Sequence, residues 1–199
     1  MRSRLAHIPF NGAPYPQIPG DEMKTDTPRP ILLKDYRPPD YLIDRVDLDV
    51  DLEPNATRVR ARLEMRPNPA AKSSVVRPLV LDGEAIRLVD IKVDGAALDA
   101  SAYAVTDTHL TIKKPPSKPF KLETTVVCDP EANKALSGLY RSRGNYCTQC
   151  EAQGFRRITY FLDRPDILSV YTVRLEAAKA EAPVLLSNGN LIDSGVSPT

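Results

Sequence analysis

Apolar and polar residues begin to alternate at Leu42. Leu42, Val46, Leu48, Val50 and Leu52 are apolar, and Asp47, Asp49 and Asp51 stand between them, the period of two expected of a strand with one buried face. The next run inverts the charge. Over residues 57–66, Val59, Ala61, Leu63 and Met65 alternate with Arg58, Arg60, Arg62, Glu64 and Arg66. With Glu53-Pro54-Asn55-Ala56 as a four-residue turn, Val50 faces Val59 and Leu48 faces Ala61, while Asp51, Asp49 and Asp47 face Arg58, Arg60 and Arg62. A slip of one residue would turn the charges into the core, so this register is strongly specified. The aspartate stripe alone suggests calcium, but the facing arginines neutralise it, and the stripe reads as a solvated face.

Short strand candidates then recur between turn signals. They cover residues 79–81 before Asp82-Gly83, 86–93 before Asp94-Gly95, 103–105, 110–113, and 120–127, where Phe120, Leu122, Thr124 and Val126 alternate. Residues 129–140 suggest a turn of helix, with Asp129 as N-cap and Pro130 at the first helical position. Further strands are expected at 156–162, 167–177 and 184–186, with a break at Asp163-Arg164-Pro165-Asp166. Many short strands with Asp-Gly turns predict an all-β fold, an antiparallel β-sandwich.

Proline sets the boundary of this pattern. Eight of the 19 prolines fall in residues 1–39, where they forbid regular helix or ladder. Residues 1–33 therefore read as an extended leader, and residues 34–199 as one β domain. A start at Met23 would remove 22 residues without touching any patterned segment. Hydrophobic residues at 42% and charged residues at 27% argue against wholesale disorder. The 27 Lys and Arg offset the 26 Asp and Glu to leave a net charge of +1, which offers no broad attraction to nucleic acid or an anionic membrane. No apolar run is long enough for a membrane helix. The basic N-terminus lacks the continuous apolar stretch and cleavage site of a signal peptide. With three cysteines, two of them in Cys147-Thr148-Gln149-Cys150, the expectation is reduced thiols in a cytoplasmic protein.

The densest polar cluster is Tyr146-Cys147-Thr148-Gln149-Cys150-Glu151-Ala152-Gln153-Gly154-Phe155-Arg156-Arg157. Three readings compete. A structural zinc site needs four ligands, and only Cys128, His7 and His109 could join Cys147 and Cys150, at spacings unlike known zinc patterns. A redox Cys-x-x-Cys normally opens a helix in an α/β setting, which this chain lacks. The third reading is a packed polar loop. Nucleophilic catalysis needs a base, yet His7 lies in the proline leader and His109 beside a hairpin turn, so no catalytic residue is assigned. Glycine-rich phosphate loops are absent.

The same cluster, extended through Ile158-Thr159-Tyr160-Phe161-Leu162-Asp163-Arg164-Pro165-Asp166, carries a resemblance. Together with residues 133–140, Leu185-Leu186-Ser187-Asn188-Gly189-Asn190 and Asp35-Tyr36-Arg37-Pro38-Pro39-Asp40-Tyr41, it resembles the N-terminal domain of bacterial aminopeptidase N, a zinc metallo-aminopeptidase of the gluzincin group. The resemblance covers residues 34–190. It implies a saddle-shaped β-sandwich over the active-site cleft of a larger enzyme. It further implies that Glu151 grips the α-ammonium of a peptide substrate and that Gln149 lines the first specificity pocket. A carboxylate in a poorly hydrated cleft makes a charge-assisted hydrogen bond to an ammonium that an internal amide cannot reproduce.

The chain departs from the family in what it lacks. It has neither the zinc-binding H-E-x-x-H, whose glutamate acts on the metal-bound water, nor the substrate-gripping Gly-Ala-Met-Glu-Asn loop. Zinc and the general base would then belong to a catalytic domain encoded downstream, with no cofactor in this chain and no hydrolysis by it alone. The family domain also continues past Asn190 with further strands, so a truncated or split-gene product with an incomplete sheet is expected. The rival expectation is a free-standing β-sandwich that binds a protein or peptide terminus without peptidase activity.

Overall fold

In the computed structural model, residues 32–71 and 77–197 are described. The expected leader at residues 1–33 and the start at Met23 lie almost wholly outside them. Residues 1–36 and 37–199 separate as two units. The described part of the first holds a 3-10 turn, Leu33–Asp35. The described part of the second holds eleven strands: β1 (Tyr41–Leu52), β2 (Thr57–Pro67), β3 (Leu79–Asp82), β4 (Arg87–Val93), β5 (Ala96–Ala97), β6 (Tyr103–Val105), β7 (His109–Ile112), β8 (Phe120–Cys128), β9 (Gly138–Ser142), β10 (Asn145–Gln149) and β11 (Val170–Ala177). The all-β expectation stands.

The strands form a six-stranded sheet in the order β11-β1-β2-β8-β4-β5, a three-stranded sheet β3-β7-β6 and the hairpin β10-β9. Pairing is antiparallel except between β11 and β1, which run parallel. The β1–β2 register is the one the charge pattern dictates, with Val50 opposite Val59, Leu48 opposite Ala61, and Asp51, Asp49 and Asp47 opposite Arg58, Arg60 and Arg62. The turn is closed by Thr57, whose hydroxyl donates to the Glu53 carbonyl at 2.7 Å and accepts from the Glu53 amide at 3.1 Å. On the outer face Asp49 meets Arg60 at 3.4 Å and Arg174 of β11 at 3.3 Å.

Leu42 departs from the simple alternation. The register shifts between Ile43 and Arg45, and Tyr41 and Ile43 are buried where Leu42 is only half-buried. A β-bulge inserts one residue and resets the phase. Asp44, at the bulge, bonds Arg66 at 2.8 Å.

The inner faces of both larger sheets meet in one core. Val46, Val59, Leu63, Leu122 and Val126 come from the first, and Leu79, Leu81, Leu110 and Ile112 from the second, all within one buried cluster. The same core takes Cys128 at the end of β8. Burial, reinforced by the charge of Asp129, pushes the Cys128 thiol up to about 12, whereas an ordinary cysteine ionises near about 8.5. The folded chain therefore keeps a proton that the unfolded chain has released. This contribution to stability is whole below about pH 8.5 and declines as pH rises towards the folded value. Urea midpoints are expected to fall over that window, and to fall less in Cys128→Ala. Equal slopes would contradict this assignment. Cys150, Tyr41, Tyr146, Tyr160 and Tyr171, also raised by burial, contribute to the rest of the decline.

Three expected elements differ. Residues 129–140 form no helix: Asp129 does accept the Ala132 amide at 2.9 Å as an N-cap would, but Asn133 donates to the Ser137 and Leu139 carbonyls at 2.8 Å each, and Leu136 and Gly138 take positive φ. Residues 156–162 are a 3-10 turn, Phe155–Arg157, followed by one antiparallel bridge between Asp82 and Phe161. Here Ile158, Thr159, Tyr160, Phe161 and Leu162 are all buried, so there is no solvent face to alternate with. Residues 184–186 form no strand, and Leu186 is exposed.

Candidate functional site

The hairpin β9–β10 delivers the motif residues. Its tip, Arg143-Gly144, has φ of 51° and 85°, the left-handed pair that a tight two-residue turn requires. Gln149 ends β10 opposite Gly138, and the chain then folds back through residues 150–154. The Gly154 amide donates to the Cys150 carbonyl at 2.8 Å, and the Gln149 side-chain amide donates to the Glu151 carbonyl at 2.9 Å. The Glu151–Ala152 peptide bond is cis. Gly154 has no room for a side chain, since a Cβ there would run into the Gln149 carbonyl and sit 2.9 Å from Ser137 Oγ.

Behind this loop lies a knot of charge that the sequence alone does not reveal. Arg156 Nε donates to Asp163 Oδ2 at 2.9 Å, its amide donates to the same oxygen at 3.2 Å, and its Nη1 lies 3.5 Å from Asp82 and 3.8 Å from Glu84. Arg157 Nη2 meets Glu84 at 3.0 Å. Asp82 is tied to Phe161 by two backbone bonds of 2.8 and 3.0 Å, so β3 is joined to the segment that leaves the loop. The rings of Phe155 and Phe161 pack edge to face at 4.8 Å, and Tyr171 of β11 stands edge-on to Phe155 at 6.0 Å. The sequence signals for this knot are Asp82, hidden inside an Asp-Gly turn, and the Arg156-Arg157 pair, hidden inside an expected strand.

Glu151 and Gln149 are both exposed. Among the described residues the Glu151 carboxylate has no hydrogen-bond or ion-pair partner. Arg156 and Arg157 of the same motif are engaged with Asp82, Glu84 and Asp163, so an accepting carboxylate and an amide sit on a loop with fixed ends. Such a pair can accept hydrogen bonds from a cation.

The thiols behave differently. Strand alternation puts Cys147 and Gln149 on one face of β10 and Tyr146 on the other, and Tyr146 and Cys150, just past the strand's end, pack against the core. Burial, with a smaller push from Asp163, raises the Cys150 thiol above its ordinary range. Cys147 Sγ lies 3.9 Å from the Asn145 carbonyl. His109 sits 3.7 Å from Asp82 through Nε2 and 2.7 Å from the Thr108 hydroxyl through Nδ1; His7 lies outside the described residues. Among the described residues no three His, Cys, Asp or Glu side chains are grouped to hold a metal ion. These residues do not fit a zinc site. No helix among them is long and apolar enough to cross a membrane.

Comparison with known proteins places this geometry. The peptidase M1 N-terminal domain family matches residues 38–198. The chain is 51% identical over 173 residues to aminopeptidase N of Caulobacter vibrioides, covering 87% of this chain and 19% of that protein. It is 40% identical over 171 residues to aminopeptidase N of Escherichia coli, covering 86% and 19%. It thus spans about a fifth of the length of these relatives. The crystal structure of Legionella pneumophila aminopeptidase A in complex with aspartic acid superposes with a TM-score of 0.74 at 38% identity, over 81% of this chain and 19% of that one. An M1 zinc metallopeptidase from Deinococcus radiodurans superposes at 0.57 with 16% identity, over 69% and 32%, which supports the fold alone.

Proposed function

We propose, from the premise that this chain belongs to the peptidase M1 N-terminal domain family, that it is the substrate-recognition part of a zinc aminopeptidase whose catalytic residues lie outside these 199 residues. Glu151 receives the α-ammonium of a peptide, and Gln149 borders the pocket for the first side chain. The observation that carries this reading is the exposed Glu151 carboxylate, which has no partner among the described residues, while Arg156 and Arg157, a few positions on in the same motif, are committed to Asp82, Glu84 and Asp163. Desolvation on closure of a cleft would strengthen a carboxylate–ammonium contact well beyond its value in water. The zinc and the general base belong to the parent enzyme, which we place in the cytoplasm. The chain's own residues bind and orient the amine.

The test joins this chain to the catalytic remainder of the Caulobacter vibrioides relative in place of that protein's matching segment. The 199-residue chain alone is expected to bind no stoichiometric zinc and to hydrolyse no aminoacyl anilide. The joined enzyme is expected to do both. Hydrolysis by the chain alone contradicts the reading, and a folded joined protein that contains zinc but shows no aminopeptidase activity favours the free-standing binding module.

A further inference from the structure

We propose that Glu84 is a positioning residue for amine recognition. By holding Arg157 it keeps that guanidinium away from the Glu151 carboxylate, which stays available to a substrate ammonium. This inference rests on the assignment of Glu151 above.

The two arginines of the knot are not held equally. Arg156 has Asp163 at 2.9 Å and Asp82 at 3.5 Å besides Glu84 at 3.8 Å. Arg157 has one ionic partner among the described residues, Glu84, at 3.0 Å. Loss of the Glu84 charge would leave Arg156 anchored and would release Arg157 alone.

Arg157 also starts close to the loop. A Cβ on Gly138 would collide with the Cβ of Arg157, and Gly138 is the strand partner of Gln149, two residues before Glu151. A long, flexible guanidinium rooted there can swing to the exposed carboxylate, which has no partner among the described residues, and an ion pair would form between them. That pair would compete with the substrate for the same oxygens. The Glu84 backbone is fixed beside the arginine pair, because its amide donates to the Arg156 carbonyl at 3.0 Å. Three carboxylates thus face two arginines.

A partly exposed competing pair is worth about threefold to fivefold in an equilibrium. In the joined enzyme, Glu84→Gln is expected to raise KM for an aminoacyl anilide by about that factor with kcat nearly unchanged, the signature of weakened uniform binding. The double variant Glu84→Gln/Arg157→Gln is expected to return KM to the parent value, and Arg157→Gln alone to leave it unchanged. A merely structural role for Glu84 would not be rescued by removing a second charge. An unchanged KM in Glu84→Gln, or a double variant as weak as the single one, overturns the inference. Glu151→Gln, measured alongside, separates the two ideas: if it leaves KM unchanged the assignment of Glu151 has failed, and if it raises KM while Glu84→Gln does not, only the role of Glu84 has failed.

Discussion

Arg156→Ala is expected to lower the stability of the domain by about 3 kcal/mol or more, the usual cost of stranding a buried charge by removing its partner. Arg156 and Asp163 are 16% and 11% exposed at their side chains, so neither would be well rehydrated after the change. Asp163 would lose both the guanidinium bond of 2.9 Å and the alignment of the amide bond beside it. The Asp82–Phe161 bridge and the Asp163 amide bond to Asp82 at 3.2 Å hang on the same cluster. Urea unfolding of the purified chain reads the effect. Arg60→Ala is the control, because Arg60 and Asp49 are 51% and 38% exposed and such surface pairs contribute little. Similar midpoints for the two variants would show that the knot is a surface feature.

The second large effect is on binding. Glu151→Gln in the joined enzyme is expected to weaken a free-amine ligand such as an amino-acid amide by roughly tenfold to a hundredfold, since hydrogen bonds to charged groups are worth about 1.5–3 kcal/mol. The des-amino analogue of the same ligand has no ammonium to lose and is expected to bind the variant and the parent alike. Glutamine keeps the size and one acceptor oxygen, so the loss isolates the charge. Inhibition constants for the matched pair provide the measurement. An equal loss for both ligands would point to a disturbed loop, and no loss for either would remove Glu151 from the site.

Much of the fold was legible because one face of the main sheet is charged. Asp47, Asp49 and Asp51 against Arg58, Arg60 and Arg62 leave a single register that buries no charge, and that register is present. Where burial is continuous the pattern falls silent. Residues 158–162 are buried on every side, so period-two alternation could not distinguish a strand from a turn and a bridge. The β9–β10 hairpin escaped for a related reason: its turn is Arg143-Gly144 where Asn-Gly or Asp-Gly would have signalled it. The parallel partnership of β11 with β1 is set by tertiary packing between residues more than a hundred positions apart, and no local pattern encodes it.

For the candidate site, the sequence pointed to the motif loop but not to its support. Glu151 and Gln149 stood out through a motif resemblance. Asp82, Glu84, Asp163, Arg156 and Arg157, which anchor the ends of their loop, come from two separated segments and share no spacing rule. The two thiols drew attention by spacing alone, yet Cys147 lies within β10 while Cys150, just past its end, packs against the core.

The central claim is that Glu151 receives a substrate amine. A crystal structure of the joined enzyme with a bound amino acid tests it most directly. The account predicts a Glu151 carboxylate oxygen at about 2.7–2.9 Å from the ligand α-nitrogen, the range of a charge-assisted contact, with Arg157 still on Glu84. A ligand amine bound elsewhere, with Glu151 in open solvent or paired to Arg157, would contradict it.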